Sequence, residues 1–258
     1  MYRYLISIIS FLIIFFSGMF NCANAKVFVS LIPGITEIIY KIGAQDSLIG
    51  VSTSCTYPPA VKSKEIIGDT FFLNKEKIIR MHPDYILALD TSKPLLTDLY
   101  KTSIKPIFFE FKNIDDIYSN ILVLGKLTQK EENAKKLVNE IKSDIKKTKT
   151  KQPKKILYLV QTNPLITIGN KSFVSDIIKK SGQISVTESI NSYYPAISTE
   201  FAIKSKPDIV LVCFCTNITK LKNLFPGSKI VFLNKYEQDI INRTGPRVNQ
   251  AVKYFASF

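Results

Sequence analysis

One unit occurs twice in this chain, once in each half, and it limits the folds that the chain can adopt. Each copy consists of a Glu, a helical stretch bearing Lys or Arg, the dipeptide Pro-Asp and a short apolar run typical of a strand. In the first half Glu76 precedes Pro83-Asp84. In the second half Glu200 precedes Pro207-Asp208. Strands alternating with short helices indicate a parallel sheet covered on both faces. The repeat therefore predicts two similar α/β lobes, each presenting a carboxylate in an equivalent place.

The first 25 residues are typical of an export signal. Arg3 precedes an apolar run over residues 5–16, and small residues ending in Ala-Asn-Ala at 23–25 follow directly. A charged start, an apolar run and a small-residue cleavage site characterise secretory signal peptides. We therefore expect residues 1–25 to be removed and the mature protein to be periplasmic. An uncleaved membrane anchor and a lipoprotein modified at Cys22 are the alternatives.

The formal net charge of +14 comes mostly from lysines scattered along the chain, with one dense run over residues 142–155. A basic protein can bind nucleic acid, anionic lipid or an acidic ligand. The sequence contains neither a nucleic-acid-binding motif nor arginines interleaved with aromatic residues. We therefore expect no nucleic-acid partner and, at most, a weak attraction to an anionic membrane surface.

The chain has a single histidine, His82, which argues against metal sites and against the common hydrolases. Zinc and manganese carriers generally use several imidazole ligands, and a Ser-His-Asp enzyme needs its histidine beside a nucleophile. We expect no bound metal and no catalytic residues, so the protein should not be an enzyme. An exported enzyme with a cryptic carboxylate site is the alternative from another class.

Three cysteines follow the predicted signal: Cys55, Cys213 and Cys215. An odd number leaves at least one thiol unpaired, and a disulfide between residues two apart in a strand would be strained. Buried free thiols are therefore expected, since Cys packs as a small hydrophobe.

A helical segment separates the two α/β regions. Between residues 114 and 150 there is no Pro and a single Gly, and apolar residues recur at helical spacing. The pattern indicates either one helix broken near residues 126–128 or one long helix joining the lobes. The predicted organisation is a first lobe over 26–112, a helical segment over 113–150 and a second lobe over 151–258. Within the lobes we expect Thr36 to cap a helix, and we expect residues 161–170 and 236–243 to be loops.

Four segments occur in the order found in a known family: SLIPGITEIIYKIGA (30–44), GVSTSCTYPP (50–59), NKEKIIRMHPDYIL (74–87) and NRTGPR (242–247). With these motifs the chain resembles, over residues 26–258, the helical-backbone (class III) substrate-binding proteins of ABC importers for cobalamin, haem and iron-siderophores. The Pro-x-x-Thr-Glu and Gly-Val-x-x-x-Cys-x-Tyr-Pro segments are most similar to the cobalamin-binding branch.

The resemblance implies two Rossmann-like lobes with parallel sheets, joined by one long rigid α-helix, with the ligand cleft between the lobes. It implies a corrinoid (cobalamin or cobinamide) as transported ligand rather than a catalytic cofactor. The implied partner is an ABC permease dimer with its ATPase, approached by a monomeric binding protein. Cobalamin-binding relatives often have tryptophans in the cleft, and this chain has none. Haem or a ferric siderophore, with a tyrosine as iron ligand in the haem case, is therefore the alternative.

The resemblance also assigns roles to individual residues. Those that correspond to ligand contacts are Tyr57, Phe71, Tyr194 and Arg243. Aromatic faces can pack a flat macrocycle, and a guanidinium can bind acidic or amide groups on it. Glu76 and Glu200 correspond to the glutamates that dock onto permease arginines. Each Glu could instead simply stabilise the first turn of its helix.

Overall fold

The computed structural model of the protein describes residues 26–69, 71–215 and 217–258, and within these ranges the chain folds into two α/β lobes. This confirms the fold class that the repeat predicted. The predicted export signal, including Cys22, lies outside the described residues. Among the described helices, none is long and apolar enough to cross a membrane.

The first lobe has a five-stranded parallel sheet in the order β3-β2-β1-β4-β5. Its strands are β1 (Phe28–Ser30), β2 (Leu48–Val51), β3 (Glu65–Ile66), β4 (Tyr85–Leu89) and β5 (Lys105–Phe109). Its helices are α1 (Pro33–Lys41) and α2 (Lys75–Met81), with 3-10 turns at Gln45–Ser47, Pro59–Ser63 and Asp90–Lys101. Successive residues of β1 point to opposite faces, so Phe28 and Val29 pack in different apolar clusters. The sheet is therefore covered on both faces.

Two helices, α3 (Ile114–Leu127) and α4 (Glu131–Lys147), follow the first lobe. Gln129 makes the turn between them with a φ of 58°, in the left-handed region. Gly125 allows the two helices to approach closely, because a Cβ there would lie 2.4 Å from the Cβ of Ala134. Of the two predicted alternatives the broken helix is the one observed, and the break lies at residues 128–130. Within the pair, α4 makes hydrogen bonds to both lobes and so joins them.

The helical pair contacts both lobes. Near its start α4 is tied to the first lobe, where Asn133 Nδ2 donates to the carbonyl of Ile42 at 2.8 Å. Near its end Asp144 accepts from Asn249 Nδ2 and Lys253 Nζ of the second lobe, both at 2.7 Å. The main apolar cluster also runs from α1 through both helices into the second lobe. The two lobes therefore share one core.

The second lobe has a mixed sheet in the order β10-β9-β6-β7, with β8 also paired to β6. Its strands are β6 (Lys155–Thr162), β7 (Leu165–Thr167), β8 (Ile184–Ser185), β9 (Ile209–Phe214) and β10 (Lys229–Phe232). Its helices are α5 (Phe173–Lys180), α6 (Thr199–Lys204), α7 (Ile218–Leu224), α8 (Lys235–Asn242) and α9 (Val248–Ala256). β7 runs antiparallel to β6, while the other pairings are parallel. The predicted loop over 161–170 was thus wrong in its first part, where β6 and β7 form a hairpin.

The two copies of the repeated unit have the same local structure. Asp84 Oδ2 accepts from the backbone N–H of Val27, which precedes β1, at 2.9 Å. Asp208 Oδ2 accepts in the same way from the N–H of Lys155, which begins β6, at 2.7 Å. The residues before the two prolines both have positive φ angles: His82 (49°) and Lys206 (44°). In each lobe the Pro-Asp therefore ends a helix, and its Asp fixes the start of the first strand of that lobe.

Thr36 does not cap α1. The helix begins at Pro33 with Ile32 as N-cap and without a side-chain cap, since the fixed φ of proline suits the first helical position. Thr36 is buried instead, and its Oγ1 lies 2.9 Å from Ser30 Oγ. The expected loop over 236–243 is also wrong, because helix α8 occupies most of it.

Candidate functional site

Exposed aromatic side chains lie at the carboxyl ends of the parallel strands in both lobes. In the first lobe these residues follow β2 and β3: Tyr57, Phe71 and Phe72. In the second lobe Tyr193 and Tyr194 follow β8, Phe214 ends β9 and Tyr236 follows β10. In open α/β sheets the carboxyl edge of the strands is where ligands bind. We call this pair of edges the cleft.

A buried ion pair joins the two lobes at the cleft. Glu37, on α1, accepts two hydrogen bonds from Arg247, the residue before α9. Arg247 Nε donates to Oε2 and Nη2 donates to Oε1, both at 2.7 Å. The two side chains are only 2% and 8% exposed. The bidentate geometry fixes the position of both groups and joins α1 to the second lobe.

The backbones of the two lobes also touch next to this ion pair. A Cβ on Gly34 would lie 2.1 Å from the carbonyl oxygen of Thr244, and one on Gly245 would lie 3.0 Å from the Cα of Gly34. Only glycine permits so close an approach of two backbone segments. We call Gly34, Glu37 and residues 243–247 the interlobe contact.

Arg243, a predicted ligand residue, belongs to the interlobe contact. Its Nη2 donates to Thr56 Oγ1 of the first lobe at 2.7 Å and lies 3.2 Å from Asp239 Oδ2. Its Nη1 lies 3.4 Å from Glu37 Oε1. The side chain of Arg243 is 12% exposed. It therefore reaches the cleft while remaining paired with Glu37 and Asp239.

Tyr57, the second predicted ligand residue, is held by the same contact. The guanidinium carbon of Arg247 lies 4.2 Å from the centre of the Tyr57 ring, a distance typical of a cation–π interaction. The ring nevertheless stays exposed. The structure thus brings Tyr57 and Arg243 together.

The other two predicted ligand residues, Phe71 and Tyr194, are 76% and 58% exposed and lie on different lobes. Tyr194 is near Tyr158, whose OH donates to Asn242 Oδ1 at 3.0 Å. Burial, with added contributions from Cys213 and Tyr194 among others, raises the pKa of Tyr158 well above its usual value, so this tyrosine is a neutral donor.

Cys55 lies beneath the cleft as a free, buried thiol. Its Sγ lies 3.2 Å from Thr36 Oγ1 and 3.3 Å from Ser52 Oγ. Burial raises the pKa of the thiol, which therefore stays protonated. These contacts agree with the predicted packing role. Cys213 and Cys215 are also free, but they are only partly buried.

Glu76 and Glu200 occupy matching positions in the first turns of α2 and α6. Both are exposed, and Glu200 pairs with Lys204 at 2.7 Å, an exposed ion pair of small energetic value. Each helix follows a strand and returns antiparallel to the sheet, so each begins at the carboxyl edge. The two carboxylates therefore lie on the same side of the molecule as the cleft.

Sequence reasoning missed the role of Glu37 and its pairing with Arg247. A signal was present, because Glu37 stands among Ile35, Ile38 and Ile39 on the buried side of α1. A carboxylate at such a position needs a charged partner. Nothing in the local sequence identifies that partner, which is 210 residues away.

Comparison with known proteins gives one family and several relatives. The periplasmic binding protein family matches residues 29–224. A vitamin B12-binding protein of Vibrio vulnificus (strain YJ016) is 26% identical, over 96% of this chain and 97% of its own length. An uncharacterized ABC transporter substrate-binding lipoprotein of Bacillus subtilis (strain 168) is 27% identical, over 90% of this chain and 79% of its own length. Among solved structures, a possible iron-binding (periplasmic solute-binding) protein from Staphylococcus epidermidis has a TM-score of 0.78 and 28% identity, covering 89% of this chain and 96% of that one.

Proposed function

Because the chain belongs to the periplasmic binding protein family, we propose that it is an exported substrate-binding protein which holds a corrinoid between its lobes and delivers it to an ABC importer. The observation that carries this proposal is the set of aromatic side chains exposed at the carboxyl edges of both sheets. The similarity to a vitamin B12-binding protein along nearly the full length of both chains supports the choice of ligand.

The cleft suits a large flat ligand. Phe71 and Tyr194, on different lobes, offer exposed ring faces that a macrocycle can cover. Tyr57 offers a third ring, already fixed in position by Arg247. Arg243 is available for a hydrogen bond to an amide oxygen on the periphery of the ligand. Because the interlobe contact and the helical pair already join the lobes, we expect binding with little closure.

Haem or a ferric siderophore is the second candidate. The exposed phenols of Tyr57, Tyr193 and Tyr194 are suitable iron ligands. The Staphylococcus epidermidis protein, described as possibly iron-binding, supports this alternative.

The ligand can be identified by titrating the exported, purified protein with dicyanocobinamide, cyanocobalamin and haemin, using calorimetry and absorbance. We expect tight corrinoid binding, and we expect Tyr194→Ala to weaken it about tenfold, because a well-packed aromatic contact contributes roughly 1–1.5 kcal/mol.

Tyr100→Ala is the matched control for this experiment. Tyr100 is also exposed, but it lies near the end of the 3-10 turn Asp90–Lys101 and is not one of the aromatic residues of the cleft. If the protein binds neither corrinoid but shifts the Soret band of haemin, this result would favour the second candidate. Equal effects of the two Tyr variants would argue against the cleft as the binding site.

Glu76 and Glu200 are the proposed contacts with the permease. Equal charges on matching helices of two similar lobes fit the two halves of a permease dimer. Charges at the rim of an interface speed association and fix the register of the partners more than they increase affinity. Arginines on the permease are the expected counterparts.

We expect the double variant Glu76→Ala/Glu200→Ala to bind the corrinoid normally. Transport should fall at least about tenfold, because the variant associates more slowly with the permease. The measurement is uptake into proteoliposomes that contain the permease and ATPase of the same importer. Glu132→Ala/Glu140→Ala on α4 removes the same charge from exposed positions elsewhere and should leave uptake unchanged. Loss of corrinoid binding in the first variant would refute the docking assignment.

A further inference from the structure

The charges of the interlobe contact and of the neighbouring Asp239, one turn before Arg243, largely balance one another. Two guanidinium groups, Arg243 and Arg247, face two carboxylates, Glu37 and Asp239. Glu37 takes part in both ion pairs across the lobes, and it is the more deeply buried of the two carboxylates. Asp239 also pairs with Lys235, whose side chain is 82% exposed. The two arginines and two carboxylates therefore balance in the buried part of the contact, and the extra positive charge lies on a solvated lysine.

The balanced charge of these buried groups contrasts with the net positive charge of the lobe that supplies the arginines. Residues 151–258 contain fifteen Lys and Arg against six Asp and Glu, whereas residues 26–112 contain eleven against nine. Without Glu37, Arg243 would keep Asp239 as a partner but Arg247 would have none among the described residues, so one unpaired positive charge would be added beside the more basic lobe. Charges in such a poorly hydrated place act strongly on a ligand.

We infer that Glu37 determines which ligand charge the cleft accepts, an inference that rests on the proposed function in taking the cleft as the ligand site. With Glu37 in place, the charges of both arginines are paired, while Arg243 keeps N–H groups that can donate to a neutral acceptor. The cleft then favours a ligand whose periphery carries neutral amides, as a corrinoid does. A ligand that carries carboxylates, as haem does, must compete with Glu37 for the arginines and is repelled by its charge.

Glu37 also positions the site. Its two oxygens hold the guanidinium of Arg247 in one plane, and that guanidinium lies against the ring of Tyr57. Charge and position can be separated by substitution. Glu37→Gln keeps the length of the side chain and removes the charge. Glu37→Asp keeps the charge and shortens the reach to Arg247 by one methylene.

The experiment compares dissociation constants for haemin and dicyanocobinamide in the exported, purified protein and its variants. Glu37→Gln should shift the ratio of the two constants about tenfold in favour of haemin, the size expected for one uncompensated charge near a partly buried ligand group. Glu37→Asp should weaken both ligands and leave the ratio near that of the unaltered protein. A loss of structure alone would not change the preference between the ligands.

Asp239→Asn provides a second test that does not depend on the buried pair, since Asp239 is more exposed and pairs with Arg243 and the solvated Lys235 but not with Arg247. It should move the ratio in the same direction, and it decides the question if Glu37→Gln does not fold. Asp144→Asn removes a carboxylate from an ion pair away from the cleft and should leave the ratio unchanged.

The outcomes separate the inference from the proposed function. If the unaltered protein binds either ligand and the ratio stays the same in Glu37→Gln and Asp239→Asn, the inference is overturned and the proposed function stands. If the unaltered protein binds neither ligand, the proposed function is overturned and the inference with it.

Discussion

Replacing Arg247 by methionine is expected to lower the free energy of unfolding by about 3–5 kcal/mol. The substitution leaves the carboxylate of Glu37 buried and without its bidentate partner. Arg243, whose Nη1 is 3.4 Å away, compensates only in part. The change is measured by urea unfolding followed by circular dichroism.

The double variant Glu37→Met/Arg247→Met should recover most of this loss. Both buried charges are then absent, and two apolar side chains of similar volume fill the same space, which is often as stable as a buried ion pair. Lys253→Met is the control, because Lys253 and Asp144 form a largely exposed ion pair whose loss should cost less than about 1 kcal/mol. An Arg247→Met protein as stable as this control would show that the interlobe pair does not hold the lobes together.

The features that could be predicted from the sequence are those set by neighbouring residues. Proline in Pro-Asp ends a helix, and the alternation of apolar residues indicates a strand, so the two lobes and their order were predictable. The equivalence of Asp84 and Asp208 follows from the same local pattern. The family resemblance, confirmed by the match over residues 29–224, extends this prediction to the arrangement of the lobes.

The parts that could not be predicted depend on contacts distant in sequence or on a single backbone angle. Helical periodicity continues on both sides of Gln129, and neither Gly nor Pro stands at the turn, so the sequence left the break undecided. The pairing of Glu37 with Arg247 joins opposite ends of the chain. Residues 236–243 were predicted to form a loop following a strand, whereas the structure has helix α8 there and puts Arg243 directly after it.

Gly34→Ala is expected to lower the free energy of unfolding by about 3 kcal/mol, at the upper end of the usual cost of overpacking. In an open helix position alanine would instead be favoured by up to about 1 kcal/mol. At residue 34 the added methyl would lie 2.1 Å from the carbonyl oxygen and 2.6 Å from the carbonyl carbon of Thr244, which are backbone atoms. Relieving this clash requires the lobes to separate. Separation would stretch the ion pair between Arg247 and Glu37, which lies one helical turn after Gly34 in α1.

Three glycines form a graded series that tests this argument by urea unfolding. Gly34→Ala should be the most harmful, and Gly245→Ala should be intermediate, because its methyl would meet Gly34 Cα at 3.0 Å. Gly227→Ala should be neutral or slightly stabilising, since no atom lies within 4 Å of the added group. The Glu37→Met/Arg247→Met background should reduce the harm of Gly34→Ala, because no buried charges then resist separation of the lobes. Equal stability of the Gly34 and Gly227 variants would mean that the lobes are not in fixed contact at this point, and the close approach of α1 to residues 243–247 could then not position the cleft.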